Sequence, residues 1–272
     1  GGKAGNIVSP NPNTIAVTEA FQLDLTAVML KNLIPALCAL IATIVLASLL
    51  AKKAGDGISQ NDLEAAPAEK LPNALQAFAG PLTVIVLLAL RPLAKISVDP
   101  LIALPLGGLV CILVTGNIRN LIPYTDFGLS KVIGVAILLI GTGTIAGIIK
   151  ASALQKDMTT LLSAMNMPAF ILAPLSGILM AAATASTTAG STVASQTFSG
   201  TLLAAGVPAL SAAAMIHAGA TVLDSLPHGS FFHATGGSVY MDIKNRMKLI
   251  PFEALIGLTS TIVAVILYLV TA

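Results

Sequence analysis

The sequence predicts an all-α polytopic membrane protein, built from repeats and carrying a re-entrant hairpin and discontinuous helices. Three observations carry that expectation. Hydrophobic residues make up 56% of the 272 and charged residues 10%, with a mean hydropathy of +0.91, where an ordinary soluble domain has roughly 25% charged residues. Uncharged apolar runs, of the length needed to cross about 30 Å of hydrocarbon, recur along the chain. A stretch near the start also matches one near the end at a fixed offset. The net charge of +2 is spread over 14 Lys/Arg and 12 Asp/Glu, which argues against a nucleic-acid surface.

Taken in order, the expected spans are Leu33 to Ala51, Pro81 to Ala94, Leu101 to Gly116, Val132 to Ile149 and Phe252 to Ala272. Arg91 and Lys95 lie near the end of the second span and read as interface anchors that snorkel. Between the first two spans, residues 52–80 are rich in Gly, Pro and both signs of charge and read as a cytoplasmic linker. Cys38 and Cys111 sit in separate apolar runs and read as small buried hydrophobes. In the span from Val132, the spacing of Gly143 and Gly147 suits close helix packing in lipid.

The stretch from Leu161 to Leu223 behaves differently. It is too long for two crossings and awkward for three, and its middle, TASTTAGSTVASQT, is dense in hydroxyls and glycine. Non-helical backbone survives at membrane depth only where protein or a wet cavity covers its polar groups. Two readings follow: an ordinary extramembrane loop between two spans, or a re-entrant hairpin with its tip near Ser186 to Ser191.

The internal repeat favours the hairpin. Leu33, Ile34 and Pro35 align with Leu249, Ile250 and Pro251, an offset of 216. At that offset SPNPNT, from Ser9 to Thr14, falls on SLPHGS, from Ser225 to Ser230. Each is a short, proline-bearing polar interruption ahead of a terminal apolar helix. Matched interruptions of this kind mark the site of inverted-repeat secondary transporters, where half-helix N-termini face an anion. The candidate substrate-binding residues are therefore Ser9, Asn11, Asn13 and Thr14 on the first break and His228, Gly229 and Ser230 on the second. Ser186, Thr187 and Thr188 add the hairpin tip. The period divides the chain into the end of a first repeat (1–51), the linker (52–80) and a second repeat (81–272), with its hairpin at about 158–215 and its broken helix at about 211–240. It also places the start of the first copy on the order of 160 residues before Gly1.

GKAGNIVSPNPNTIA, ATASTTAGSTVAS and HAGATVLDSLPHGSFFHATGGS, followed by a Lys/Arg-bearing loop, resemble the gluconate permease family of proton symporters. The resemblance implies the ion transporter superfamily, proton-coupled uptake of small hydroxy acids and a multi-pass protein of the cell inner membrane. The gluconate carriers continue from the second break into an Asp-Ser-Gly-Phe-Trp run. Here the corresponding stretch is HGSFFHATGGS and the chain has no Trp, which points to a shorter carboxylate such as glycerate or hydroxybutyrate.

All three histidines and one carboxylate fall between His217 and His233. A carboxylate at membrane depth costs about 2.5 kcal/mol or more unless protonated, paired or wetted. If the helix continues to Leu226, Asp224 and His228 share a face. Asp224, with His228 or His233, is thus the expected proton-coupling group. His217 reads as a hydrogen-bonded helix-packing residue. The histidine spacing lacks zinc-site arrangements, and no metal, cofactor or enzymatic activity is expected. A channel and an intramembrane hydrolase using Ser225 or Ser230 stand as alternatives, although no G-x-S-x-G elbow is present. The expected partners are a small anionic hydroxy acid, protons and the lipid bilayer, without nucleic acid and with a homodimer allowed. Lys52, Lys53 and Lys70, together with Lys244, Arg246 and Lys248, suit the cytoplasmic side.

Overall fold

Proline placement decides where the first helices stop. In the computed structural model, which describes residues 2–54, 72–94, 96, 98–165 and 167–271, every regular element is a helix. Gly2–Val8 (α1) ends at Ser9–Pro10–Asn11, because Pro10 and Pro12 lack an N–H and keep the residues before them out of helix. Pro12–Phe21 (α2) restarts with proline in its first turn, where the missing donor costs nothing. Asn11 caps it by accepting from the Thr14 N–H at 3.0 Å. The same amide donates to the Asn6 carbonyl at 2.8 Å, so one side chain closes both ends of the interruption. Leu25–Lys31 (α3) follows behind an Asp24 cap, and Leu33–Ala54 (α4) is the first long apolar helix.

Ala74–Ala94 (α5) begins inside the stretch expected as linker. A reciprocal cap explains the start: the Asn73 N–H donates to Gln76 Oε1 at 3.1 Å, and the Gln76 N–H to Asn73 Oδ1 at 2.9 Å. Most of the expected linker (55–71, including Lys70) and Lys95 lie outside the described residues, as do the side chains of Lys53 and Arg91. Pro100–Val114 (α6) starts behind Asp99, whose carboxylate accepts from the Leu101 N–H at 2.7 Å. It packs on α5 through Val84, Leu88 and Ala103. Leu121–Ala151 (α7) starts well before Val132 and takes Asp126 and Lys131 into the helix. Among the described residues a Cβ at Gly143 or Gly147 would meet nothing within 4 Å, so neither makes a close helix contact there.

The remaining helices are Leu154–Ala164 (α8), Leu172–Thr184 (α9), Thr187–Ala204 (α10), Ala209–Gly219 (α11), Ser230–Gly237 (α12), Ile243–Met247 (α13) and Ile250–Thr271 (α14). α9 and α10 form a helix–turn–helix whose turn is only Ala185 and Ser186. Ala185 adopts φ 46°, in the left-handed region, and Ser186 caps α10 by accepting from the Ala189 N–H. The helices touch at Gly190, where a Cβ would lie 2.5 Å from the Ala181 Cα.

The expected continuation of α11 to Leu226 does not occur: the helix ends at Gly219. Thr221 closes its last turn by donating to the Ala218 carbonyl at 2.7 Å. The chain then runs over α14 so closely that a Cβ on Gly257 would fall 2.3 Å from the Thr221 oxygen. That crossing, with Pro227 downstream, leaves Ala220 to Gly229 outside regular helix. Asp224 and His228 therefore do not share a helical face.

The chain divides into two compact units, Ala51–Gly134 and Gly1–Leu50 with Val135–Ala272. In the second of these the core gathers Val17, Phe21, Val28, Leu172, Phe198, Met215 and Ile216. Arg246 is 3% exposed rather than a free loop cation. It clasps Glu253 through two bonds of 3.0 and 2.9 Å and stands 4.9 Å from the Phe232 ring centre. Among the described residues, two stretches are long and apolar enough to cross a membrane, Leu33–Lys52 and Ile243–Thr271. The exposed apolar side chains of α4, such as Ile34, Ile41 and Ile44, form the kind of surface that lipid covers.

Shifted by 216 positions, helix ends recur. α2 ends at Phe21 and α12 at Gly237, and α3 ends at Lys31 and α13 at Met247. α4 begins at Leu33 and α14 at Ile250, one residue off that register.

Candidate functional site

Asp224 lies in the non-helical segment after α11 and is 5% exposed. A carboxylate so placed requires partners, and it has three. Lys3 of α1 forms an ion pair with Oδ1, Ser225 Oγ donates to the same oxygen at 3.0 Å, and Thr187 Oγ1 donates to Oδ2 at 2.6 Å. Lys3 also donates to the Thr221 carbonyl, just beyond the end of α11. The Asn6 amide donates to Thr187 Oγ1 at 3.2 Å, and Thr188 Oγ1 donates to Asn13 Oδ1. Thr187 and Thr188 are the first two residues of α10, so the carboxylate stands at the positive end of that helix.

Three interruptions thus converge: Ser9–Asn11 between α1 and α2, Ala185–Ser186 between α9 and α10, and Ala220–Gly229 between α11 and α12. Gly229 is the seat of the hairpin tip. A Cβ there would fall 2.4 Å from the Ala185 carbonyl oxygen, so no side chain can stand between the two backbones.

The expected site residues separate into three groups. Asn13, Thr187, Thr188, Asp224 and Gly229 come together at the convergence. Ser9, Asn11, Thr14 and Ser186 brace the interruptions from within: Ser9 Oγ donates to the Gly5 carbonyl at 2.7 Å, and Thr14 Oγ1 to the Ser9 carbonyl at 2.8 Å, while Asn11 and Ser186 serve as caps. His228, Ser230 and His233 are exposed. His233 Nε2 lies 2.7 Å from the Pro227 carbonyl oxygen, and among the described residues neither it nor His228 bonds to Asp224.

His217 is fully buried in α11. It is not the hydrogen-bonded packing group its sequence setting suggests. Its ring nitrogens have no partner of good hydrogen-bond geometry among the described residues, and the Asn6 backbone is a polar group the ring approaches.

Lys3 and Asn6 are the members that sequence reasoning missed, and Ser225, weighed there only as a nucleophile, serves as a donor to Asp224. Lys3 carried a usable signal, because an ammonium on a helix that stops at a proline-bearing break is a functional candidate once that helix is placed inside the protein. The assembled cluster holds one cation, one carboxylate, neutral donors and a helix N-terminus. Cation and carboxylate neutralise one another in this arrangement.

Over 268 residues the chain is 55% identical to a Haemophilus influenzae protein named an uncharacterized transporter, a match covering 98% of this chain and 64% of that protein. The chain therefore spans just under two thirds of that relative's length. No protein-family model matches the chain, and no solved structure matches it.

Proposed function

We propose that this chain is part of a secondary active transporter of the gluconate permease type, which carries a small hydroxy-carboxylate with a proton across the inner membrane. The observation behind this reading is the meeting of three helix interruptions around one buried, paired carboxylate. Such interruptions leave N–H and C=O groups free at membrane depth, where they are tolerated only around a cavity or within protein. The short hairpin arm fits a re-entrant placement. Thirteen residues in α9 rise about 20 Å, less than the roughly 30 Å of hydrocarbon. The recurrence of helix ends at an offset of 216 supports a two-repeat design, and similarity to a protein named a transporter supports the class. The missing Trp-bearing run favours glycerate or hydroxybutyrate over gluconate as cargo.

Uptake by the complete natural polypeptide in proteoliposomes tests the reading. With an inward proton gradient, labelled glycerate, 3-hydroxybutyrate or gluconate accumulates unchanged, and a protonophore abolishes the accumulation. Accumulation that ignores the protonophore and follows sodium would replace the coupling ion. Chemically altered label inside the vesicles would indicate a hydrolase instead.

A further inference from the structure

We infer that Lys3 is the cation that receives the substrate carboxylate, and that Asp224 holds it until a proton takes its place. This assignment rests on the transport reading above and deepens it. The observations are three. Lys3 is bonded to the Asp224 carboxylate and the Thr221 carbonyl, with its side chain 11% exposed. Its partners belong to a different interruption, so the pair joins α1 to the segment after α11. The second Asp224 oxygen is fixed independently by Thr187 at 2.6 Å, so the carboxyl group stays in place when Lys3 leaves.

Charge then dictates order. In the empty site, Lys3 and Asp224 neutralise one another, and an arriving carboxylate meets no free cation. When an external proton forms an O–H bond on Asp224, the group becomes neutral and Lys3 is left with an unpaired charge. A substrate carboxylate then occupies the position that Asp224 held against Lys3. On the other side the acid leaves, the O–H bond breaks toward the cytoplasm, and the ion pair closes again. Both the empty and the loaded site carry zero net charge. A proton alone would leave +1 and an anion alone −1, each penalised at membrane depth. Coupling therefore follows from neutrality, with one proton for each singly charged acid.

Among the described residues, Lys3 is the charged group bonded to Asp224. The other groups around the carboxyl are the neutral Thr187 and Ser225, with Asn6 behind Thr187. Of the titratable side chains on packed elements, His217 of α11 approaches the Asn6 backbone without a bond of good geometry among the described residues, and Glu253 of α14 is closed on Arg246. His228 and His233 are exposed.

The assignment is tested on the complete natural polypeptide in proteoliposomes containing a pH-sensitive dye, with glycerate, 3-hydroxybutyrate and gluconate each supplied as probe. Wild type is expected to take up one proton per acid molecule at a rate that a clamped membrane potential does not change. Asp224→Asn is expected to exchange acid across the membrane with an affinity independent of pH, but not to accumulate it. Lys3→Gln should lose roughly 100-fold in affinity, and adding Asp224→Asn to it should restore nothing. Infrared difference spectra of wild type provide a readout that survives misfolding of any variant: adding the acid should raise a protonated-carboxyl band. Retained affinity in Lys3→Gln, recovery in the double variant, or the absence of the band would overturn the assignment while leaving the transporter reading intact. If wild type carries none of the three acids, the transporter reading falls and this assignment with it.

Discussion

Thr187 shows how a single hydroxyl can organise a site. It donates to Asp224 at 2.6 Å, accepts from Asn6 at 3.2 Å, and stands first in α10. It therefore joins the hairpin tip to both other interruptions. Thr187→Val keeps the shape and removes the donor, leaving one carboxylate oxygen of a buried group unsatisfied. The expected cost is about 1–3 kcal/mol, with Thr187→Ser close to wild type. Thermal unfolding in detergent, followed for both variants, measures it. Residues like Thr187 are legible in the sequence because a run of hydroxyls in an apolar stretch needs an explanation. Lys3 is less legible, since its partner is 221 positions away and no spacing rule reaches that far. The two exposed histidines illustrate the converse. The expected link of His228 to Asp224 depended on helical geometry that Ala220 to Gly229 do not adopt, and His233 meets the Pro227 carbonyl instead.

At the scale of elements, backbone contact through glycine places the hairpin. The turn at Ala185 and Ser186 rests on Gly229 with no intervening side chain. Gly229→Ala would drive a Cβ into the Ala185 carbonyl, a backbone atom that moves only with its helix. A loss of about 1–3 kcal/mol is expected, together with weaker substrate affinity as the tip lifts. Gly143→Ala, whose Cβ meets nothing, should stay within about 0.5 kcal/mol. Parallel melting curves and uptake assays separate the two. The pairing of small residues at Gly143 and Gly147 is a statistical hint about helix packing, whereas the need for glycine at 229 follows from a carbonyl contributed by another element. The start of α6 at Pro100 was legible to within one residue of the expected Leu101, whereas Pro12 to Thr14, expected within the first break, instead open α2 because proline fits the first turn of a helix. Helix starts were obscured where a helix ran on through charge, as α7 does past Asp126 and Lys131.

At the scale of the whole molecule, the long uncharged apolar runs pointed to an all-helical class, because the closed barrels that also satisfy their backbone in lipid are built from short alternating strands. The offset of 216 is visible both in residues and in the ends of α2, α3, α12 and α13. What the offset hides is the asymmetry between the two matched stretches. Lys3 corresponds to Gly219 and Asp224 to Val8, so each stretch contributes one charge where the other has none. The interruptions differ in length as well. The first is three residues pinned at both ends by Asn11, and the second runs from Ala220 to Gly229. One jaw of this clamp is stiff and the other has slack, so under the proposed transport function shape change should concentrate in the slack one. Amide exchange by mass spectrometry should find Leu223 to His228 faster than Ser9 to Thr14, with bound acid slowing the former selectively; equal rates would mean that both jaws yield alike.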